Sequence, residues 1–302
     1  MEKLKVLITG GLGFIFSHVT EYLTSKGYNV FVIDAEYVGS HKEIVDGSFE
    51  YKKMDVSKSS VIPVITSYKP DYIIHAAAFS DVDLSINNSD FVIRKNCIAT
   101  LNVFEAARQL PNLRKLVYIS TDEVYGECNH KKSEEEIIFP KNPYSCSKAF
   151  GSLLRLAYDN TFRKLKNKTA ETRFCNVFGE RQDKTKILAA IKHGLENNVV
   201  VPIHNGGTGS REYIYVENIP EVVELVMLHG DRTYNITLND SLTVNQLIGK
   251  VKKLTGKKVL VKQCERKGMD MKYQMSNLRI LKLGWKPKYT INQGLKEYLC
   301  EK

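Results

Sequence analysis

Residues 5–16 have the sequence KVLITGGLGFIF, which is the most informative segment of the chain about its fold. Its first half is a short aliphatic and β-branched run typical of a buried strand, and its second half is a glycine-rich turn that leads into helix-like residues. Backbone amides at the start of a helix in this context face the pyrophosphate of a dinucleotide. A glycine turn alone also occurs in plain strand-to-helix connections. The stretch therefore predicts a first βα unit with a candidate cofactor site at Gly10, Gly13, Phe14 and Ile15.

Beyond this stretch, short apolar runs alternate with amphipathic segments through the first half of the chain. Strands are predicted at 5–9, 29–34, 72–75 and 115–120, and helices at 18–26, 60–68 and 98–110. Repeated βα units of this kind predict an α/β fold with a doubly wound parallel sheet of the Rossmann type.

The second half of the chain does not continue this alternation of apolar and amphipathic segments. After a further predicted strand at 172–177, the alternation gives way to glycine-rich and lysine-rich segments, including the loop 205–210. We therefore expect a cofactor-binding domain over residues 1–172 and a smaller, mainly substrate-binding lobe over residues 173–302. The strand-like run 213–217 is expected to return to the main sheet.

The composition is that of a globular protein, with 43% apolar and 26% charged residues among 302. No stretch has the roughly 20 apolar residues that a membrane span needs, and the start shows no signal-peptide pattern, so a cytoplasmic protein without a membrane partner is expected. The net charge of +10 is dispersed, which favours an anionic small ligand over nucleic acid. The six cysteines form no C-x-x-C pair, so neither a metal site nor a disulfide framework is expected.

Two carboxylates follow predicted strands at places that suit the adenosine end of a cofactor. Asp34 closes the second strand, 24 residues after Gly10. A carboxylate there accepts hydrogen bonds from ribose hydroxyls and repels a 2′-phosphate, so NAD is favoured over NADP. Asp55 and Val56 follow the third strand and are candidates for a contact with the adenine edge, although Asp55 is also a credible helix cap.

The candidate catalytic residues lie in two segments. Tyr144 and Lys148 are four residues apart and share one face of a helix, where an ammonium group beside the phenol would lower its pKa from about 10 and make it a base. This spacing alone is common on helix surfaces. The segment STDEVYG, residues 120–126, follows a buried strand, so Thr121, Asp122 and Glu123 should emerge at the carboxyl edge of the sheet, where doubly wound folds bind ligands. A turn with a helix cap is the alternative interpretation of the two carboxylates.

At these residues the chain resembles the extended short-chain dehydrogenase/reductase family, and within it the nucleotide-sugar 4,6-dehydratases. The resemblance runs nearly end to end, and the adjacent Asp122 and Glu123 are its most specific part, because related epimerases and decarboxylases usually lack the pair. The segment PIHNG at 202–206 is similar to UDP-glucose 4,6-dehydratases of plants and giant DNA viruses. Further matching residues are the glycine turn, Asp34, HAAA at 75–78, Asn96, NPYSCSK at 142–148, Arg173, Asn176, Arg211, YNI at 234–236, Arg266 and LGW at 283–285.

The resemblance implies a reaction and a role for each catalytic residue. Tyr144, supported by Lys148, would take the O4 proton while hydride passes from C4 to NAD, with Thr121 hydrogen-bonded to O4. Glu123 would then remove the C5 proton as Asp122 protonates the departing C6 hydroxyl, and the hydride would return to C6. UDP-glucose would become UDP-4-keto-6-deoxyglucose, for deoxysugar synthesis of the rhamnose type.

The resemblance also implies contacts and an assembly. It places Ala76, Ala77 and Asn96 at the cofactor, together with Tyr144 and Lys148. It implies a homodimer in which two helices from each subunit pack together. The residues that it implies at the nucleotide-sugar substrate are Ser80, Asn176, Arg211, Asn235 and Arg266.

Several alternatives remain at this point. The substrate could be dTDP-glucose, the reaction could be a 4-epimerisation or a decarboxylation on the same fold, or the chain could be a catalytically silent NAD-binding module. The intact Tyr144, Lys148 and Thr121 argue against the silent module. The chain also departs from its family at Phe16, where a third glycine is usual, and we predict that this bulky side chain holds the first helix away from the pyrophosphate and weakens NAD binding.

Overall fold

The computed structural model describes residues 3–37, 39–265 and 272–300 and has a seven-stranded sheet at its centre. The strands of the described chain are β1 (Lys5–Thr9), β2 (Asn29–Asp34), β3 (Glu50–Lys53), β4 (Tyr72–His75), β5 (Lys115–Thr121), β6 (Thr169–Phe174), β7 (Asn176–Phe178), β8 (Val201–His204), β9 (Ser210–Tyr215), β10 (Thr233–Ile236), β11 (Ser241–Thr243) and β12 (Val261–Cys264).

The central sheet is parallel throughout and has the order β3-β2-β1-β4-β5-β6-β10. The strand order reverses between β1 and β4. At such a reversal the connections leave on opposite faces of the sheet and open a crevice at the carboxyl ends of the strands. The doubly wound α/β fold predicted from the sequence is confirmed.

Helices cover both faces of this sheet. The α-helices are α1 (Phe14–Ser25), α2 (Val61–Tyr68), α3 (Val82–Asn87), α4 (Ser89–Ala107), α5 (Pro143–Thr161), α6 (Ile187–Asn197), α7 (Ile219–His229), α8 (Val244–Thr255), α9 (Leu278–Lys282) and α10 (Ile291–Cys300). Successive strand residues point to opposite faces, so Val6 and Ile8 join the core under α1 and α7, whereas Leu7 joins the core under α2, α4 and α5. No helix in the described ranges is both long enough and apolar enough to cross a membrane.

The predicted strands agree closely with the observed ones, but two helix starts differ. The first helix begins at Phe14 rather than residue 18, and α4 begins at Ser89, nine residues before the predicted start. The first turns of α4 carry three consecutive apolar residues at 91–93 and a buried polar residue, Asn96, so they lack the i, i+3, i+4 apolar spacing by which a helix is recognised.

The second lobe corrects two expectations. The predicted strand 172–177 is divided at Cys175, because β6 belongs to the main sheet while β7 pairs with β9 in a second sheet of order β11-β9-β7. The run 213–217 therefore does not rejoin the main sheet. The strand that does rejoin it is β10, which reaches the edge beside β6 through the crossover helix α7, as parallel pairing requires. The expected domain boundary at residue 172 thus falls inside a strand of the main sheet.

Candidate active site

The glycine turn between β1 and α1 has the conformation that a phosphate cradle requires. Gly10 has a φ of +72°, and a Cβ there would lie 2.7 Å from the backbone of Ala77, so only glycine fits. Gly13 precedes α1 in an extended conformation, and no side chain caps the helix. The first amides of α1, at Phe14 and Ile15, are therefore left for an anionic ligand.

Asp34 is tied to this turn. Its carboxylate is 9% exposed and accepts hydrogen bonds from the backbone amides of Leu12 at 3.1 Å and Glu36 at 2.9 Å. The end of β2 and the glycine turn thus form one rigid unit with a carboxylate at its rim. This is the placement expected of a ribose-binding group.

Asp55 lies further along the same edge. It forms an ion pair with Lys95 and accepts a hydrogen bond from the Ser57 amide at 2.9 Å. Burial raises the pKa of Asp55, but Lys95 and Ser57 outweigh it and hold the pKa below its ordinary value. The N-cap of α2 is Ser60, so Asp55 does not cap that helix. Val56, the neighbour of Asp55, is buried.

Asn96 holds the loop after β4. Its side chain is 2% exposed, accepts from the Phe79 amide at 2.8 Å and donates to the Phe79 carbonyl at 3.0 Å and to Ser147 Oγ at 2.9 Å. Both amide hydrogens of Asn96 are therefore used within the protein. The residue joins the loop that contains Ala76 and Ala77 to the helix that carries Lys148.

The end of β5 brings the predicted catalytic residues together. The Thr121 hydroxyl donates to Asp122 Oδ1 at 3.1 Å and accepts from the Glu123 amide at 3.3 Å. Asn142 Nδ2 donates to Glu123 Oε2 at 2.9 Å, while Asn142 Oδ1 caps α5 by accepting from the Ser145 amide at 2.8 Å. One amide side chain thus fixes Glu123 against the start of the helix that carries the tyrosine. Our sequence reasoning gave Asn142 no role, although asparagine before proline is an N-cap signal.

Burial and mutual repulsion shift the acidity of these groups. Burial, followed by the charge of Glu123, raises the pKa of Asp122 to about 7. Burial also raises the pKa of Tyr144, and Glu123 and Asp122 add to this, while a hydrogen bond with Thr121 opposes it. Burial and the two carboxylates therefore oppose the lowering of the Tyr144 pKa that is expected from Lys148. Burial lowers the pKa of Lys148 to about 8 against the opposing charge of Glu171.

The residues expected at the substrate are placed differently from one another. Ser80 and Asn176 are exposed, and the Arg211 guanidinium lies 4.6 Å from the ring centre of Tyr273. Arg266 lies outside the described residues.

Asn235 is fully buried in β10. It accepts from the Tyr125 hydroxyl at 2.9 Å and donates to the Lys132 carbonyl at 3.1 Å. This placement argues against the substrate contact expected of Asn235, because its side chain is enclosed by the protein and positions Tyr125.

Comparison with known proteins identifies the family of this chain. Residues 6–237 match the model of the NAD dependent epimerase/dehydratase family. The chain is 30% identical over 312 residues to a trifunctional UDP-glucose 4,6-dehydratase/UDP-4-keto-6-deoxy-D-glucose 3,5-epimerase/UDP-4-keto-L-rhamnose-reductase of Arabidopsis thaliana, an alignment that covers 97% of this chain but only 46% of the plant protein.

Solved structures agree with the fold. A Thermus thermophilus UDP-glucose 4-epimerase in complex with NAD has a TM-score of 0.92 at 26% identity and covers 99% of this chain and 98% of its own. A dTDP-glucose 4,6-dehydratase from Streptomyces venezuelae with NAD bound has a TM-score of 0.89 at 26% identity, covering 98% and 96%. Because the family model matches the chain from β1 to β10, this chain belongs to the NAD dependent epimerase/dehydratase family.

Proposed function

We propose that this chain is a nucleotide-sugar 4,6-dehydratase that converts UDP-glucose into UDP-4-keto-6-deoxyglucose for deoxysugar synthesis of the rhamnose type. The adjacent Asp122 and Glu123 at the carboxyl edge of β5 carry the proposal. Asp122 has a pKa of about 7 and can hold a proton near neutral pH, whereas Glu123 accepts a hydrogen bond from Asn142. An acid and a base side by side suit an elimination across neighbouring carbons.

The residues present fit NAD. The uncapped start of α1 and the Gly10 turn suit a diphosphate, and Asp34 suits the hydroxyls of a ribose. When bound, NAD supplies an acceptor for the C4 hydride and the same hydride for C6. Lys148 and Tyr144, on one face of α5, would hold the nicotinamide end.

The proton transfers are assigned to the chain's own side chains. With NAD bound, the positive charges of the cofactor and of Lys148 would favour the phenolate of Tyr144, which then takes the O4 proton, and Thr121 is hydrogen-bonded to O4. The C4 ketone acidifies the C5 proton, which passes to Glu123 while Asp122 gives its proton to the C6 hydroxyl, which leaves as water. Glu123 then returns a proton to C5, so the sugar loses one molecule of water with no net oxidation.

The relatives are named for different nucleotide sugars. The plant relative is named for UDP-glucose, and the Streptomyces venezuelae enzyme for dTDP-glucose. A dTDP-glucose 4,6-dehydratase is therefore the second candidate. A 4-epimerase is the third, favoured by the Thermus thermophilus structure and opposed by Asp122 and Glu123.

We also propose a homodimer built from α4 and α5, with a cytoplasmic location. These two helices pack side by side and present exposed apolar side chains in common. Ile98 is 42% exposed, Phe150 36%, Leu153 58% and Leu156 46%. A second copy of the same face would remove them from water.

The test is incubation of the purified protein with UDP-glucose and, separately, with dTDP-glucose, followed by mass spectrometry of the products. We expect UDP-glucose to lose one molecule of water and give a keto sugar, with no net reduction of NAD. The same product from dTDP-glucose alone would select the second candidate. UDP-galactose, which has the mass of UDP-glucose and is separated from it by chromatography, would show a 4-epimerase instead. A third incubation with UDP-glucuronate would reveal a decarboxylase by the loss of carbon dioxide.

A further inference from the structure

A buried ionic cluster lies behind Lys148. Lys148, Arg155 and Arg173 are 5%, 4% and 5% exposed, and Glu171 is fully buried. Burial of a charge is costly unless the charge is paired. Glu171 pairs directly with Arg155 and Arg173, and Lys148 lies two helical turns before Arg155 on α5.

Glu171 is held from three elements. Its Oε1 accepts from Arg173 Nε at 2.8 Å and from Ser152 Oγ on α5 at 2.5 Å, and its Oε2 accepts from Thr233 Oγ1 on β10 at 3.2 Å. Arg155 Nε lies 3.7 Å from Oε2. Burial raises the pKa of Glu171, but the two arginines outweigh it and hold the pKa below its usual value, so the carboxylate is ionised.

Short contacts join this carboxylate to the backbone of Lys148, because the Ser152 hydroxyl lies 2.5 Å from Glu171 Oε1 and 3.4 Å from the Lys148 carbonyl oxygen. Ser152 is one helical turn after Lys148, and Tyr118 pairs with Glu171 in the β5–β6 register. The Tyr118 hydroxyl donates to the Lys148 carbonyl at 3.0 Å, and Lys148 Nζ lies 4.7 Å from the centre of the Tyr118 ring. Gly151 makes room for this, since a Cβ there would lie 2.2 Å from Tyr118 Cζ.

The other titratable groups near Lys148 are neutral. Burial lowers the pKa of His75 on β4 to about 3 and raises that of Cys97 on α4 to about 11. Burial also raises the pKa values of Tyr118 and Tyr144. Glu171 is thus the charged group that opposes the effect of burial on the Lys148 ammonium.

We propose that Glu171 is a positioning residue for Lys148: held by Ser152, Arg155 and Arg173, its carboxylate is the counter-charge that keeps the buried Lys148 ammonium protonated at neutral pH. This inference rests on the proposed role of Lys148 at the cofactor. Glu171, a residue of β6 outside the two catalytic segments, thereby influences the pH range over which the site works.

The test is the NAD affinity of the intact protein measured by calorimetry across pH. NAD binding to the parent should weaken as the pH rises through about 8, where Lys148 loses its proton. This loss of affinity is the alkaline limb of the pH profile. Glu171→Gln should lower the pH at which the limb occurs by about one pH unit or more, and Glu171→Asp should return the limb most of the way to its parental position. Arg155→Met removes a cation from the cluster and should move the limb up.

The opposite signs separate an electrostatic role from a structural one, which would weaken binding at every pH. Lys148→Met should lack the limb, which assigns it to this lysine. An unshifted limb in Glu171→Gln, or a limb retained in Lys148→Met, would overturn the proposal. If Glu171→Gln does not fold, an Arg155→Met limb that stays put or moves down overturns it equally. Shifts of the expected signs in a protein that converts no nucleotide sugar would refute the proposed function and leave the Glu171 assignment standing.

Discussion

Asp122→Asn should stabilise the protein more at alkaline pH than at acid pH. The pKa of Asp122 rises from 3.8 in the unfolded chain to about 7 in the fold. Below the lower value both states are protonated and the carboxyl costs nothing. Between the two values the folded state binds the extra proton, so stability falls as pH rises, and above about 7 the loss is complete. At about 1.4 kcal/mol per pKa unit, the ionised carboxylate costs the folded state about 4 kcal/mol.

Asparagine carries no such cost, so the magnitude can be measured by urea unfolding of the cofactor-free protein. The stability gain of Asp122→Asn over the parent should be about 3 kcal/mol larger at pH 8 than at pH 5. Asp90→Asn is the matched control, because Asp90 is 74% exposed and its removal changes one surface carboxylate. Equal pH dependence in the two variants would refute the reasoning that Asp122 is a buried acid. The same substitution should also lower turnover, though less than loss of the C5 base.

Three further variants test the site and its support. Glu123→Gln should lower turnover by at least about 100-fold and let reduced cofactor accumulate after substrate is added, because C4 oxidation precedes proton removal; parental turnover would show Glu123 to be structural. Gly151→Ala should lower the free energy of unfolding by about 1–3 kcal/mol and weaken NAD binding, because the added methyl group displaces Tyr118. The control is Gly249→Ala, which lies in open space on α8 and should be neutral or slightly stabilising. Equal effects of the two substitutions would contradict the steric argument. Phe16 is 5% exposed in the core, so Phe16→Gly should lower the free energy of unfolding by about 3–5 kcal/mol in chemical denaturation. If the phenylalanine weakens NAD binding, calorimetry should show that Phe16→Gly binds NAD more tightly than the parent. Unchanged or weaker affinity would contradict this prediction.

The local pattern of residues was sufficient for the core of the fold. The predicted strands at 5–9, 29–34, 72–75 and 115–120 correspond to β1, β2, β4 and β5 to within one residue. Strands buried on both faces leave a continuous apolar signature, and the carboxyl edge of a parallel sheet is a known place for ligands. The convergence of Thr121, Asp122, Glu123 and Tyr144 at that edge follows from this architecture.

Which sheet a strand joins and which charges meet depend on contacts between residues that are far apart along the chain. The run 213–217 has the apolar character of any buried strand. Its strand, β9, pairs with β7 and β11, whereas β10 occupies the edge of the main sheet beside β6. Asn235 is linked to Tyr125 across 110 residues, and Glu171 reaches Lys148 through Tyr118 and Ser152. Burial and distance determine a pKa, and both depend on side chains far apart along the chain. For this reason the sequence could place an acid, a base and a lysine in one site, while their protonation states emerged only from the packing around them.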